Sequence, residues 1–317
     1  MRSENKNLDI SLIIPIYNEE KVLPILIDRL LSLIENFKEF EFEFILINDG
    51  SADKSKLLIH NACENYHFVG IHFSRNFGHQ AAVTAGLLHA TGDYIAVIDG
   101  DLQDPPELIP EMLLKMREVE ADVVYGVRTH RKENLFKRSC YFLFYRFLAL
   151  VTPLEIPLDS GDFGIMTRRV VNAINSMPEH HRFVRGLRAY SGFKQIPFRY
   201  KREVRGGGES KYNLTRLLNL ALDGIFTFSE VPLKLATLVG IVVSLLSLVY
   251  GIILMIWRIF SNQQIPGFAT LSVGMFFLGG VQLFCLGVLG EYVGRIHNEV
   301  KGRPSFIIES ISKTHDA

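Results

Sequence analysis

The run Ala96-Val97-Ile98-Asp99-Gly100-Asp101-Leu102-Gln103-Asp104-Pro105-Pro106-Glu107 decides how this chain is read. It opens as the end of an apolar strand. The carboxylates of Asp99 and Asp101 follow at i and i+2, where a period of two points both side chains the same way. Gly100 between them leaves room for the close approach of a ligand. Two such carboxylates repel unless a cation lies between them, so a hard divalent metal is the natural occupant. Magnesium keeps few protein ligands and shares substrate phosphate oxygens, so the pattern reads as a nucleotide-diphosphate site. Pro105-Pro106 then suits the first turn of a helix.

Working outward, the first 130 residues alternate strand and helix. Apolar, β-branched runs occur at Ile10–Ile14, Phe42–Ile47, Val69–Phe73, Tyr94–Ile98 and Asp122–Val127. Between the first two, Leu23, Leu26, Ile27, Leu30, Leu31 and Ile34 keep helical i, i+3, i+4 spacing. Further helices are expected over about 54–66, about 79–90 and after the proline pair. Alternation with fully apolar strands implies an α/β fold, a mostly parallel sheet covered on both faces, with ligands bound beyond the carboxyl ends of the strands. Three other strand ends carry polar groups: Ile14-Pro15-Ile16-Tyr17-Asn18-Glu19-Glu20, Asn48-Asp49-Gly50-Ser51-Ala52-Asp53 and Ser74-Arg75-Asn76-Phe77-Gly78-His79-Gln80. The first two suit base and ribose hydroxyls; Asn48-Asp49-Gly50-Ser51 also reads as a turn with a helix cap. The third reads either as a glycine turn into a helix or as substrate lining, with His79 a candidate contact.

The chain has 317 residues, 34 basic and 34 acidic, and a pI near 7.2. That balance excludes a nucleic-acid binder driven by bulk charge. Cys63, Cys140 and Cys285 lie far apart, which excludes a disulfide framework and a cysteine zinc site. No His-x-x-x-His spacing points to zinc. A mean hydropathy of +0.18 is high for a cytosolic enzyme, and the excess sits at the C-terminal end. Residues 235–257 and 259–290 contain no charged side chain, and about 20 apolar residues cross a bilayer core. The reading is a transmembrane hairpin, 233–258 and 266–290, followed by a tail over 291–317. The polar start, MRSENKNLD, has no apolar signal region. Lys211, Arg216 and Lys234 precede the first span; Arg295, Lys301 and Arg303 follow the second. The positive-inside rule therefore expects a multi-pass protein of the inner (plasma) membrane with catalytic domain and both termini cytoplasmic.

Residues 213–229 form an amphipathic pattern, with Asn213, Arg216, Asn219, Asp223 and Thr227 in one arc. Such a helix before a span is expected in the headgroup plane, packing on the soluble domain being the alternative. Residues 135–151 are apolar nearly all round, with Lys137, Arg138 and Arg146 as basic tips that would snorkel. Arg205-Gly206-Gly207-Gly208-Glu209-Ser210-Lys211-Tyr212 reads as a glycine-rich basic loop, or as a plain tether to that helix.

IPIYNEE, NDGSADKS, SRNFGHQAA and DGDLQDPPE, in this order, resemble the GT-A glycosyltransferases of family 2. More narrowly, the chain resembles the polyprenyl-phosphate glycosyltransferases, which include dolichol-phosphate mannose synthase and bacterial GtrB-type glucosyltransferases. The two C-terminal spans match the GtrB-type branch, so the likeness covers nearly the whole chain. It implies a GT-A catalytic domain over 1–212 and transfer of one sugar, with inversion, from a nucleotide-diphosphate sugar to polyprenyl (undecaprenyl) phosphate. Glucose and UDP are implied by the GtrB-type layout alone. On matching positions, Pro15, Tyr17, Asn18, Glu19 and Asp49 would hold the nucleoside. Asp99 and Asp101 would flank the pyrophosphate, Asp101 as the direct ligand of Mg2+ (or Mn2+), with Gln103 nearby. Arg128 resembles the arginine that grips the lipid phosphate, with Arg131 and Arg138 as further candidates that spacing does not separate. Asp162, in Asp159-Ser160-Gly161-Asp162-Phe163-Gly164, would sit where an inverting enzyme places its base. A lipid phosphate is already anionic near pH 7, however, and needs little deprotonation, so Asp162 could instead position a sugar hydroxyl. Arg205 and Lys211 would neutralise the departing charge as their loop closes.

The rivals are a processive polysaccharide synthase and a membrane scaffold with a degenerate nucleotide fold. The first expects a Gln-x-x-Arg-Trp motif and more spans, whereas the single tryptophan, Trp257, ends a span. The expected partners are the nucleotide sugar, polyprenyl phosphate, the bilayer, further copies of the chain, and a flippase or downstream transferase; nucleic acid is not among them.

Overall fold

The computed structural model describes residues 8–128, 160–179, 182–201, 231–260 and 267–313. The chain divides into two compact units: 1–145, 154–211 and 304–317 form one, and 146–153 with 212–303 the other.

In the first unit the expected alternation appears as β1 (Leu8–Ile16), α1 (Leu23–Asn36), β2 (Phe40–Asn48), α2 (Ser55–Asn65), β3 (Phe68–Phe73), α3 (His79–His89), β4 (Tyr94–Val97), α4 (Leu108–Glu118) and β5 (Val123–Arg128). After residues outside the description come β6 (Ser160–Thr167), α5 (Arg168–Asn175), α6 (Val184–Tyr190) and β7 (Gln195–Tyr200). The sheet has eight strands in the order β7-β5-β6-β4-β1-β2-β3-β8. Here β8 (Ile308–Ser312) comes from beyond the apolar helices. β1 pairs in parallel with β2 and β4, and β2 with β3; β6 and β8 run antiparallel to their neighbours. This is the mostly parallel GT-A architecture.

Period two explains the burial. Ile10, Leu12, Ile14 and Ile16 of β1 enter one core with α1 and α4, whereas Ile13 enters the other with α3 and α5. Both faces are covered, so the strands are apolar throughout rather than alternating. Order reverses at β1, which lies between β2 and β4 although β3 and α3 intervene in sequence. A crevice opens at such a switch point beyond the carboxyl ends, and the turn carrying Asp99 and Asp101 leaves β4 there.

The second unit contains α7 (Val231–Phe260) and α8 (Phe268–Val300). Both are long and apolar enough to cross a membrane, with mean hydropathy 2.5 over Val231–Leu254 and 2.0 over Val273–Val300. Ala236 and Val288 are buried between them. α8 runs ten residues past the expected end at 290, and in that extension Glu291 and Arg295 pair at i, i+4 (3.0 Å), a spacing that helps a helix. The segment 291–317 is therefore not simply a tail: it holds the end of α8 and the strand β8. The expected interfacial helix over 213–229 lies outside the described residues, as does 135–151.

Candidate functional site

Three loops meet at the switch point, and backbone hydrogen bonds knit the first two together. The Asn18 N–H donates to Ser51 Oγ (3.0 Å), the Ala52 N–H to Asn18 Oδ1 (2.8 Å), and the Glu19 N–H to Ser55 Oγ (3.0 Å). Asn18 adopts a left-handed conformation (φ 55°) to make this exchange, as asparagine does more readily than most residues. Its side chain is thus engaged in the scaffold. Pro15 is buried inside β1 opposite Ile47. Tyr17 is different: it is 49% exposed, and its ring is open to solvent at the crevice.

Asp49 ties the second loop to the third. Its carboxylate accepts from the Phe77 N–H (2.7 Å), the Gly78 N–H (3.0 Å) and Asn76 Nδ2 (3.0 Å). It is 3% exposed. Burial pushes its pKa up, against the lowering effect of those N–H groups and of His79. Gly50 is obligatory beside it. Its φ is +63°, and a Cβ there would lie 2.3 Å from the Arg75 carbonyl carbon.

The carboxylate turn differs from its expected geometry. β4 ends at Val97, so Asp99 and Asp101 lie in a turn, where the two-residue period of a strand no longer governs them. Gly100 is also required by the protein's own packing: a Cβ there would lie 2.6 Å from Ile16 and 2.8 Å from the Pro15 carbonyl. Leu102 takes φ 61°, costly for a bulky residue and typical of loops held in place for function. Asp101 accepts the Gln103 N–H (3.1 Å). The rest of the motif is a fastening. The Tyr200 hydroxyl donates to Asp104 (2.5 Å), and Arg29 grips Glu107 with two nitrogens (2.7 and 2.5 Å).

Asp162, brought in by antiparallel β6, faces the first residues of α3. It accepts from Gln80 Nε2 (2.9 Å), His79 Nε2 (3.2 Å) and Arg185 Nε (3.1 Å), with 7% of its side chain exposed. Burial alone would raise its pKa. The His79 bond and the charges of Arg185, His79 and Arg188 outweigh that and hold the carboxyl well below the usual range. The three donors fix the Asp162 carboxylate in place between α3 and α6. His79 also stands 3.8 Å from Asp99. Burial lowers the His79 pKa, but Asp162 and Asp99 raise it above the ordinary value on balance. Asp99 is raised to about 6, first by loss of solvent and then by Asp104, Asp162 and Asp101.

Arg185, Arg188 and Gln80 were not singled out in the sequence, although Arg182-x-x-Arg185-x-x-Arg188 has the spacing of one helical face. Arg188 is 3% exposed and lies 5.1 Å from the Tyr125 ring; burial lowers its pKa to about 10. Arg128 closes β5, opposite Tyr200 of β7. Arg131, Arg138, Arg205 and Lys211 lie outside the described residues.

A divalent cation fits the chemistry of this donor set. Asp99 is raised first by burial and then by the nearby charges of Asp104, Asp162 and Asp101, so a cation would relieve it. Among the described residues there is no cluster of three or more His, Cys, Asp or Glu that could hold a metal ion; magnesium commonly keeps few protein ligands and shares substrate oxygens.

Fold and site together define a GT-A glycosyltransferase. Residues 11–174 match the family described as glycosyl transferase family 2, and residues 231–296 match the GtrB C-terminal hairpin. The chain belongs to glycosyltransferase family 2. It is 43% identical over 307 residues to the "Uncharacterized glycosyltransferase YkcC" of Bacillus subtilis (strain 168), covering 96% of this chain and 94% of that one. It is 39% identical over 308 residues to the prophage bactoprenol glucosyl transferase homolog of Escherichia coli (strain K12), covering 96% and 100%. Over 305 residues it is 39% identical to the bactoprenol glucosyl transferase of Shigella phage SfX, covering 96% and 99%. The hairpin match and the two apolar helices associate the chain with a membrane.

Proposed function

We propose that this glycosyltransferase moves a single glucose from UDP-glucose to polyprenyl (undecaprenyl) phosphate at the cytoplasmic face of the inner membrane, inverting the anomeric centre. The observation that carries the reading is the carboxylate turn at the switch point, Asp99-Gly100-Asp101, joined to a chain whose full-length relatives are named bactoprenol glucosyl transferases.

The exposed Tyr17 ring is a platform for the base, and Asp49 sets the loop on which the nucleoside rests. Pro15, Asn18 and Glu19 shape that loop from behind. Asp99 and Asp101 would hold Mg2+ or Mn2+, with Gln103 beside them; the cation supplies charge neutralisation for the pyrophosphate. His79, hydrogen-bonded to Asp162, stands 3.8 Å from Asp99. An oxygen of the acceptor phosphate attacks the anomeric carbon, and the bond from that carbon to the nucleotide's β-phosphate oxygen breaks. One displacement on the opposite face inverts the centre. The acceptor is already anionic, so no base is needed and the anchoring of Asp162 is consistent with the chemistry. Arg128 at the end of β5, with Arg131 and Arg138, would receive the acceptor phosphate. Arg205 and Lys211 would close over the leaving nucleotide.

The membrane arrangement belongs to the same proposal. The chain after α8 returns to the first unit's sheet as β8. Two crossings permit that return and one does not, which supports a hairpin with both termini on the catalytic side. The lipid-linked product would pass to a flippase or a downstream transferase, and the hairpin glycines permit packing with further copies.

The test is radiolabelled sugar transfer from a panel of UDP- and GDP-sugars into the organic phase, with undecaprenyl phosphate, magnesium and purified protein. Lipid-linked label from UDP-glucose, lost in Asp101→Ala, is the expected result. Donor hydrolysis without lipid label would overturn the acceptor, and label from a different donor would overturn the sugar. Donors left intact and unbound would overturn the catalytic reading in favour of a scaffold.

A further inference from the structure

The strand beyond the membrane helices does more than close the sheet. β8 lies antiparallel on β3, with Gly70 opposite Ser312, Ile71 opposite Ile311 and His72 opposite Ser310, and the register shifts between His72 and Phe73. Just past that shift the Ser74 N–H donates to the Ile307 carbonyl (3.0 Å). Ser74 is also where the chain leaves β3 for the loop that holds Asp49. Phe306 stacks on Phe73 (centroids 5.0 Å apart, planes at 12°), and Phe73 meets Phe77 edge-on (5.8 Å, 88°). Phe77 is the residue whose N–H donates to Asp49 at 2.7 Å. An unbroken series of contacts thus runs from the C-terminal segment through two aromatic pairs to the donor-side carboxylate.

We infer that β8 and Phe306 position the Asp49 loop, so that the segment following the membrane hairpin sets donor affinity. The inference rests on the reading that the loops around Asp49 face the nucleotide. Its physical basis is directional. Offset and edge-on aromatic pairs hold relative ring orientation as well as distance, and the Ser74–Ile307 bond fixes the loop's first residue. With Phe306 removed, Phe73 loses its stacking partner. Phe77 can then turn, and the N–H groups aimed at Asp49 lose alignment. Phe306 touches neither donor nor acceptor in this arrangement, so it is a positioning residue.

The test uses the full-length protein in nanodiscs, comparing wild type, Phe306→Ala and Phe306→Leu, the second retaining bulk without the ring. Amide hydrogen exchange reports the loop directly. In Phe306→Ala the segment 74–79 should exchange about 10-fold faster, while 10–16 in the central strand keeps its protection. The KM for UDP-glucose should rise about 5-fold, with kcat and the KM for undecaprenyl phosphate within about 2-fold of wild type. Phe306→Leu should fall between. Unchanged exchange in 74–79 would overturn the inference. So would faster exchange that spreads equally to 10–16 in both variants, since that is a fold-wide role, or a donor KM that stays at the wild-type value. If wild type transfers no sugar to lipid, the proposed function fails, and the exchange comparison still decides whether Phe306 holds the loop.

Discussion

Two halves of one crevice are built on opposite principles. Around Asp49 three donors converge on a carboxylate that is 3% exposed, and Gly50 closes against the neighbouring backbone. At Asp99 and Asp101 carboxylates gather beside His79, and burial with the neighbouring carboxylates raises Asp99 to about 6. The first half is complete in the protein alone. The second half concentrates carboxylates, the feature to which the proposed function assigns a cation and a diphosphate. Rigidity on one side holds the excess charge on the other in place.

That contrast is broken most severely from the carboxylate-rich side. Asp101→Ala is expected to lower kcat by about 100- to 1,000-fold while leaving the Tm without ligand unchanged. It should also abolish the Tm increase that UDP with magnesium gives wild type; a large loss of Tm in this variant would erase the distinction. On the complete side, Asp49→Ala strands the Phe77 and Gly78 N–H groups and should cost about 2–4 kcal/mol of stability, read as a lower Tm and faster exchange over 74–79.

Asp162 tests where the boundary between the halves falls. Arg185→Ala removes one of its three donors and should cost about 2 kcal/mol. That is below the usual figure for a broken buried pair, because Arg185 keeps 31% side-chain exposure. Asp162→Asn should reduce activity without removing any acid-side limb from the pH–rate profile; loss of an acid-side limb in this variant would assign Asp162 as a base. The mildest contrast is set by pH. Burial lowers the His72 pKa to about 4 from an ordinary 6.5, so the unfolded chain takes up a proton first as pH falls. Stability should decline by about 2 kcal/mol between pH 7 and pH 5, a slope that His72→Gln flattens in thermal melts.

Much of the fold was legible in the sequence because its signals are local. Strand runs, the helical spacing from Leu23 to Ile34 and the proline pair before α4 each occupy a few adjacent residues. β8 was not legible: five residues after a membrane helix carry little pattern, and their partner strand lies far upstream. At the site, the carboxylate turn stood out by composition, yet its geometry did not follow from strand periodicity, because β4 stops at Val97. Asn18 and Asp49 were singled out in the sequence, Asp49 also as part of a turn, but the partners that tie their loops together were not visible there. The arginines of α6 were visible as an i, i+3 series whose target was not.

The amino-acid sequence established the α/β class, the apolar hairpin and the carboxylate pair, since period, hydropathy and motif are properties of neighbouring residues. Tertiary structure alone decided which distant groups meet. His79 and Asp162 are 83 residues apart, Gln80 and Val184 104, His72 and Ser312 240. Such contacts depend on how the sheet orders its strands, and no local pattern encodes them. They surround Asp162 with His79, Gln80 and Arg185, and they pair β8 with β3 beside the loop that holds Asp49.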